Sequence, residues 1–297
     1  MSAKTLEVSA VVPVYCEEGG IGQVLDGLKA VLERCCARYE IVVVDDGSTD
    51  RTLEIARSRG VRTVAHPVNR GYGRALVSGI ETATHDWVLI IDGDGSYPPE
   101  EAERLLGACA GFDMVVGARQ GKLFWGNPLQ ALRRWVYLSL AQFVAGEPIP
   151  DANSGLRLFK KSACLLSMPF WCFGYSFTTT MTLSFVRSGR FVSFVPVRFA
   201  ARRGFSKVRP VRDILRTLQI MTQVILYFNP LKLAAAVSLA AVLLAGAAFV
   251  FFLYFGRLGL AVHSCLVILG LAVIVFLFGC VLDSMRMHGA HDQKRSS

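Results

Sequence analysis

The sequence predicts an α/β domain with a mostly parallel sheet, followed by a pair of helices long enough to cross a membrane. Three observations predict it. Short apolar runs alternate with segments of helical periodicity through the first part of the chain, the pattern of β-α-β units. Acidic clusters stand directly after two of those runs, Asp45-Asp46 and Asp92-Gly93-Asp94, at the strand ends where open α/β sheets bind ligands. Two apolar stretches near the C-terminus, Leu233–Phe255 and Leu258–Leu282, each exceed the ~20 residues that a bilayer crossing requires.

Taken in order, Val8–Val14 reads as a strand, Gly19–Arg34 as a helix and Glu40–Val44 as a second strand. Asp50–Arg59 reads as a helix, Val61–Ala65 as a strand, Gly71–Thr82 as a helix, and Trp87–Ile91 as a strand ending in Asp92. Asp113–Gly117 is one more strand. Pro128–Gly146 is helical, with Trp135 and Tyr137 among leucines beside Arg133 and Arg134, and it suits a core helix and a membrane-surface helix equally. Val211–Phe228 sets Ile214, Leu215, Leu218 and Met221 against Arg212, Asp213 and Arg216, the pattern of an in-plane amphipathic helix just before Asn229-Pro230. A short polar tail after Met287 is expected to lack regular structure.

Of the 297 residues 53% are apolar, and the mean hydropathy of +0.42 is too high for an ordinary soluble protein. Only Gly256-Arg257 separates the two long stretches, so they form a tight hairpin with both outer ends on one side. Arg198, Arg202, Arg203, Lys207, Arg209, Arg212, Arg216 and Lys232 precede the hairpin and Arg286, Lys294 and Arg295 follow it, against a lone Arg257 in the turn. The positive-inside rule then puts everything except that turn in the cytoplasm, at the plasma (inner) membrane. The net charge of +9 clusters beside the spans and suits an anionic membrane surface. No nucleic-acid motif is present, and nucleic acid is not an expected partner. The eight cysteines lack paired metal spacing and are expected to be reduced. The N-terminus opens polar and runs into a strand, so no cleavable leader is expected.

Asp92 and Asp94 straddle one glycine, a spacing that lets two carboxylates turn toward a single hard cation, Mg²⁺ or Mn²⁺, and the phosphates it carries. Alone this tripeptide would be an unremarkable turn. Pro13-Val14-Tyr15-Cys16-Glu17 and Asp45-Asp46-Gly47-Ser48 close neighbouring strands at the same sheet edge, and an aromatic ring with carboxylates suits a base and ribose. Gly71 and Gly73 lack the third glycine of a dinucleotide loop.

Seven ordered motifs together resemble the family 2 glycosyltransferases of GT-A fold, and among them the polyprenyl-phosphate glycosyltransferases similar to dolichol-phosphate mannose synthase. They are Pro13-x-Tyr15-x-Glu17, Asp45-Asp46-Gly47-Ser48, Asn69–Ala75, Asp92-Gly93-Asp94 with Pro98-Pro99-Glu100, Gly117-Ala118-Arg119, Asp151–Arg157 and Arg203-Gly204-Phe205-Ser206-Lys207. The resemblance implies a Rossmann-like GT-A catalytic domain over 1–210, an amphipathic interface helix over 211–230, a transmembrane hairpin over 231–285 and a cytoplasmic tail over 286–297. It implies that Pro13, Tyr15, Glu17, Asp45 and Asp46 line the nucleotide pocket, with Arg70 near it, and that Asp92, Gly93 and Asp94 form the metal end. Arg119, Arg133 or Arg134, Arg157, Arg203, Ser206 and Lys207 would bracket the donor and acceptor phosphates. Ser96 stands where many relatives carry a glutamine, and it is the candidate third metal ligand.

The implied reaction is an inverting transfer from a nucleotide sugar, of the UDP-glucose or GDP-mannose type, to undecaprenyl or dolichyl phosphate. The chemistry is self-consistent, because a lipid monophosphate with a second pKa near ~6 is already an anionic nucleophile and needs no strong base. Implied partners are the donor, the lipid acceptor and the membrane, with a homo-oligomer and a downstream flippase or membrane glycosyltransferase as further ones. Two other readings stand beside this one. A processive polysaccharide synthase would use the same core, but Gln130–Trp135 misses the spacing of its Gln-x-x-Arg-Trp motif. A catalytically silent scaffold or flippase partner would not need both Asp92 and Asp94.

Overall fold

The computed structural model describes residues 5–167, 177–200, 219 and 221–296, and the side chains of all of these except 122–123 and 286–296. The chain divides into two compact units, Met1–Met221 and Thr222–Ser297.

The first unit holds strands β1 (Glu7–Val14), β2 (Arg38–Asp45), β3 (Arg62–Ala65), β4 (Trp87–Ile90), β5 (Met114–Arg119), β6 (Arg157–Lys160) and β7 (Val192–Val197). Its helices are α1 (Ile21–Cys35), α2 (Thr52–Ser58), α3 (Tyr72–Thr82), α4 (Glu101–Gly107), α5 (Lys122–Trp125), α6 (Pro128–Ala145), α7 (Lys161–Ser167) and α8 (Phe177–Arg187). The strands form one sheet in the order β3-β2-β1-β4-β6-β5-β7. All pairings are parallel except those of β6, which runs against both β4 and β5.

Strand periodicity divides the core into two layers. Ala10, Val12, Ile41 and Val43 face one layer with Leu25, Leu28 and Leu32 of α1 and Leu105 of α4. Val11, Val42 and Val44 face the other with Leu76 and Ile80 of α3 and Phe177, Met181 and Phe185 of α8. Burial on both faces explains why β1 and β2 read as continuous apolar runs rather than alternating ones.

Boundaries moved where local hydrogen bonds compete with the helix. The amides of Gly20 and Ile21 both donate to the Glu17 carbonyl, so residues 17–20 form a turn and α1 starts at Ile21. Asp50 accepts the amide and hydroxyl of Thr52 and stays outside α2. Strands β6 and β7 and helices α4, α5, α7 and α8 were not anticipated from the sequence.

In the second unit two helices, Pro230–Tyr254 and Leu258–Ser296, pack as a hairpin. Asn229 accepts the Lys232 amide and Pro230 occupies the first turn, a standard helix start. Both helices are long and apolar enough to cross a membrane, over Pro230–Tyr254 and Leu258–Met285. Small residues let them approach: a Cβ on Gly279 would stand 2.2 Å from Ala234 Cβ, and Ser238 Oγ donates to the Ala272 carbonyl at 2.9 Å. The tail expected to be irregular instead continues the second helix to Ser296. No proline interrupts it, and adding residues to an existing helix is far easier than starting one. Of the expected amphipathic helix over 211–230, residue 219 and residues 221–228 are helical; the rest lies outside the described residues.

Glu40 ties the sheet together away from the strand C-termini. Its Oε1 accepts Ser9 Oγ at 2.6 Å, Thr84 N at 2.6 Å and Thr84 Oγ1 at 2.7 Å, and Arg62 reaches Oε2 at 3.4 Å. Burial alone would raise this carboxyl, but the hydrogen bonds from Ser9 and Thr84 outweigh it and hold the pKa below the usual value. A depressed folded pKa contributes stability that is complete above the ordinary glutamate value, about 4.3, and is lost as pH falls through the folded value. Glu40→Ala should therefore destabilise the first unit by about 2 kcal/mol in chemical denaturation at neutral pH, with the deficit shrinking below about pH 4. A deficit independent of pH would assign the effect to packing.

Candidate active site

Strands β1, β2 and β4 finish at one edge, with Val14 beside Asp45 and Val11 beside Ile90. The chain winds from β1 to β2 to β3 on one side, whereas β4 lies on the other side of β1, so the β1–β4 boundary is the switch point where open sheets form a ligand crevice. The reversal of β6 brings a further segment there. Arg157 opens β6 opposite Ile90, which closes β4, so residues 151–156 arrive at the same edge. Arg119 and Val197, the paired last residues of β5 and β7, end there too.

The first two loops are laced together. Cys16 N donates to Ser48 Oγ at 2.8 Å, Glu17 N to Thr52 Oγ1 at 2.8 Å and Glu18 N to Asp50 Oδ2 at 3.2 Å. Tyr15 and Glu17 are half-buried here, and the fastened loop holds Cys16 at φ 53°, a left-handed conformation unusual for a residue with a Cβ.

The adjacent acids have opposite environments. Asp45 Oδ2 accepts Ser48 N at 3.3 Å, whereas its buried Oδ1 has no hydrogen-bond partner among the described residues. Asp46, expected in the pocket wall, is spent inside the protein. Its Oδ1 accepts Arg70 N at 2.9 Å and meets His66 Nδ1 at 2.7 Å, and its Oδ2 accepts Gly71 N at 2.7 Å. His66 Nε2 is in turn 3.0 Å from Ser78 Oγ on α3. Arg70 thus contributes its amide to this anchor while its side chain is exposed.

After β4, Gly93 packs on the end of β1, where a Cβ would stand 2.4 Å from Val14 Cγ1. Asp92 Oδ1 accepts the Tyr72 hydroxyl at 2.8 Å, and its carboxylate lies against Gly155, whose Cβ, if present, would stand 2.0 Å from Oδ2. Asp94 Oδ1 accepts both the amide and the hydroxyl of Ser96, at 3.0 and 2.6 Å. Ser96 is buried and its hydroxyl donates to Asp94, so it holds that carboxylate while its oxygen keeps its lone pairs. Two hard oxygen donors on one short loop, with space kept beside them by a glycine, fit a divalent cation. No group of three or more histidine, cysteine or acidic side chains suited to a metal occurs among the described residues, so the remaining ligands would be the Ser96 hydroxyl, substrate oxygens or water.

Arginines occupy the other side. Arg119 grips Asp151 through two bonds, Nε to Oδ2 at 2.7 Å and Nη2 to Oδ1 at 2.9 Å, and also donates to the Asn153 carbonyl. Its guanidinium lies 5.3 Å from the Phe124 ring centroid and 5.4 Å from that of Phe199. Arg134 stacks over the same Phe124 ring at 4.3 Å. No carboxylate lies within ion-pair distance of Arg134 among the described residues, and burial with the neighbouring Arg119 lowers its pKa. Arg133 points the other way, onto an exposed face of α6 with Leu129, Leu132, Trp135, Val136 and Phe143.

Arg157 differs from the expectation most. It is 0% exposed and donates to the carbonyls of Ser154 and Thr178 and to Thr182 Oγ1, so its guanidinium cannot meet a phosphate without unpacking the domain. Arg203, Ser206 and Lys207 lie outside the described residues. The chain leading to them crosses the acidic loop: Arg198 pairs with buried Glu101, Phe199 meets Tyr97 edge-on at 5.2 Å, and Ala200 N donates to Ser96 O at 2.9 Å.

Tyr72, Tyr97, Asp151, Phe124 and Gly155 belong to this site and were not singled out from the sequence. Three of them, Tyr72, Asp151 and Gly155, fall within motifs already marked, where charged neighbours drew the attention.

Residues 9–165 match the family described as glycosyl transferase family 2. The chain is 36% identical over 167 residues to an undecaprenyl-phosphate 4-deoxy-4-formamido-L-arabinose transferase of Edwardsiella ictaluri, covering 54% of this chain and 51% of that protein. It is 31% identical over 220 residues to the low-salt glycan biosynthesis hexosyltransferase Agl6 of Haloferax volcanii, covering 72% and 52%. The chain thus spans about half the length of these curated relatives. A crystal structure of glucosyl-3-phosphoglycerate synthase from Mycobacterium tuberculosis with Mn²⁺ and UDP-glucose aligns with TM-score 0.59 and 23% identity, over 72% of this chain and 78% of that one. At that identity the likeness concerns the fold.

The left-handed Cys16 offers a stability test within the crevice. Asn tolerates this conformation better than a cysteine does, so Cys16→Asn should raise stability by about 0.5–1 kcal/mol in chemical denaturation. A loss instead would mean that the contact between Cys16 Sγ and Thr49 Oγ1 outweighs the backbone strain.

Proposed function

Because the chain belongs to the family 2 glycosyltransferases, we propose that it transfers a sugar from a nucleotide sugar, of the UDP-glucose or GDP-mannose type, to a polyprenyl phosphate at the cytoplasmic face of a membrane. The observation that carries the acceptor assignment is Arg134, a partly buried cation stacked on Phe124 beside Arg119, with no carboxylate in ion-pair range among the described residues. A desolvated pair of guanidiniums with only one matching carboxylate suits an incoming phosphate. The undecaprenyl-phosphate transferase among the relatives and the two long apolar helices support the same reading.

On this reading Tyr15 stacks on the base and Asp45 Oδ1 accepts one of its N–H groups. Asp92 and Asp94 hold Mg²⁺ or Mn²⁺, which supplies positive charge to the departing diphosphate when bound. Arg134 and Arg119 hold the acceptor phosphate in line with C1 of the sugar, joined by Arg203, Ser206 and Lys207. A phosphate oxygen attacks C1, the bond from C1 to the diphosphate oxygen breaks with inversion, and the nucleoside diphosphate leaves. The acceptor is already anionic, so no side chain need remove a proton. Thr178 Oγ1 donates to Asn153 Oδ1 at 2.5 Å, which agrees with a reaction that lacks a general base at this position. Arg157 supports the 154–155 turn from behind and acts as a positioning residue. The outward side of α6, where Leu129, Leu132 and Trp135 are exposed along with Arg133, has the composition of an interfacial helix.

Purified protein in detergent, given undecaprenyl phosphate, Mn²⁺ or Mg²⁺ and a panel of radiolabelled nucleotide sugars, should label the lipid from one donor. Failure with every donor and with dolichyl phosphate would reject the activity. Asp94→Ala should abolish transfer while leaving the protein folded. Arg134→Ala should raise KM for the lipid phosphate at least tenfold with KM for the donor within about twofold; equal effects on both would remove Arg134 from the acceptor site.

A further inference from the structure

The Tyr72 hydroxyl sits at the metal end of the crevice and has no part in the scheme above. It donates to Asp92 Oδ1 at 2.8 Å, because an ionised carboxylate can only accept. The ring packs partly buried against the α3 side of the core.

The placement of this hydroxyl is fixed from behind. Tyr72 is the first residue of α3, and the amides of the two residues before it, Arg70 and Gly71, are both held by the Asp46 carboxylate. His66 bridges Asp46 to Ser78 on the same helix. On the opposite side of Asp92, Gly155 walls the carboxylate at close approach, and the Gly155 amide donates to Tyr97 Oη at 2.9 Å. Tyr97 is itself 1% exposed and shares a second contact with Ser154 Oγ at 3.2 Å. Asp92 is therefore clasped between a phenol anchored through β2 and a glycine anchored through a second phenol.

A carboxylate on a short loop can rotate about its last torsion and present either or both oxygens. A hydrogen bond to one oxygen selects the plane of the group and makes that orientation available before the cation arrives. We propose that Tyr72 is a positioning residue for Asp92, its hydroxyl holding one carboxylate oxygen so that the other meets a divalent cation in a single orientation. This inference rests on the assignment of Asp92 and Asp94 to a metal. A purely structural tyrosine would instead affect folding and leave cation affinity alone.

The test uses the full chain in detergent, with Mn²⁺ as probe, titrated alone and in the presence of UDP and followed by the loss of the free Mn²⁺ resonance signal. Tyr72→Phe should raise the Mn²⁺ dissociation constant by about 10–100-fold, and the KM for Mn²⁺ in transfer should rise with it while kcat recovers at saturating metal. Gly155→Ala pushes on the same carboxylate from the other side and should show the same loss, which keeps the idea testable if Tyr72→Phe folds poorly. Wild-type affinity in a folded Tyr72→Phe protein would overturn the positioning role. Absence of Mn²⁺ binding by the wild-type chain, or undiminished binding by Asp94→Ala, would reject the metal assignment itself and the inference with it.

Discussion

Asp46 sits at the end of β2 with its side chain inside the protein, and its two oxygens collect the amides of Arg70 and Gly71 and the ring of His66. Hydrogen bonds to a charged group contribute about 1.5–3 kcal/mol each, and a buried carboxylate left without them would be strongly destabilising. The 66–71 loop is therefore not free to choose its path. Through that loop the carboxylate sets where α3 begins, where the Tyr72 hydroxyl ends up and hence how Asp92 is held. Asp45, one residue earlier, projects to the other side of the strand and keeps a buried oxygen without a protein partner. One acid is spent on the fold and the adjacent one keeps an oxygen that the protein does not use.

The second organising feature is the reversed strand β6. A fully parallel sheet would bring only strand C-termini to the working edge. Because β6 enters the sheet from that edge, the turn before it delivers Gly155 to Asp92 and Asp151 to Arg119. Arg157, at the first position of the strand, satisfies the carbonyls of that turn and of α8. A buried guanidinium is costly unless its donors are used. Its partners here are mostly backbone carbonyls, so it holds the turn's shape rather than pairing a single charge.

The alternation from β1 to β4 was legible because each strand is buried on both faces and is followed by a loop rich in glycine and acid. Strand β6 was not, since Arg157-Leu158-Phe159-Lys160 is four residues long and opens with a charge. Helix α8 begins Phe177-Thr178-Thr179-Thr180, and threonine has modest helix propensity, so only tertiary burial makes that segment a helix. Within the site, the motifs marked the right loops, but not which side chains face the crevice. Arg134 and Arg157 are the same residue type, and one is half-buried with its guanidinium over the Phe124 ring while the other is enclosed in the core. Ser96 likewise has a ligand's chemistry, and only the hydrogen bonds to Asp94 show how its hydroxyl is oriented.

The distribution of charge bears on the class of acceptor. One end of the crevice concentrates acid, with Asp92 and Asp94 together, and the far end concentrates base, with Arg119 compensated by Asp151 and Arg134 uncompensated by any ion pair among the described residues. A neutral sugar hydroxyl would gain little from the basic end and would need a proton acceptor, where Thr178 offers a hydroxyl already donated to Asn153. A phosphate monoester reverses both considerations. It carries its own nucleophilic charge, it compensates the guanidinium that the protein leaves without a carboxylate, and its desolvation is offset by that pairing in a partly buried site. Phe124 contributes by holding Arg134 beside Arg119 despite their mutual repulsion, since the ring face attracts both cations. The two guanidiniums are thus held together before any anion arrives, and the electrostatic strain of keeping them there is released when one binds.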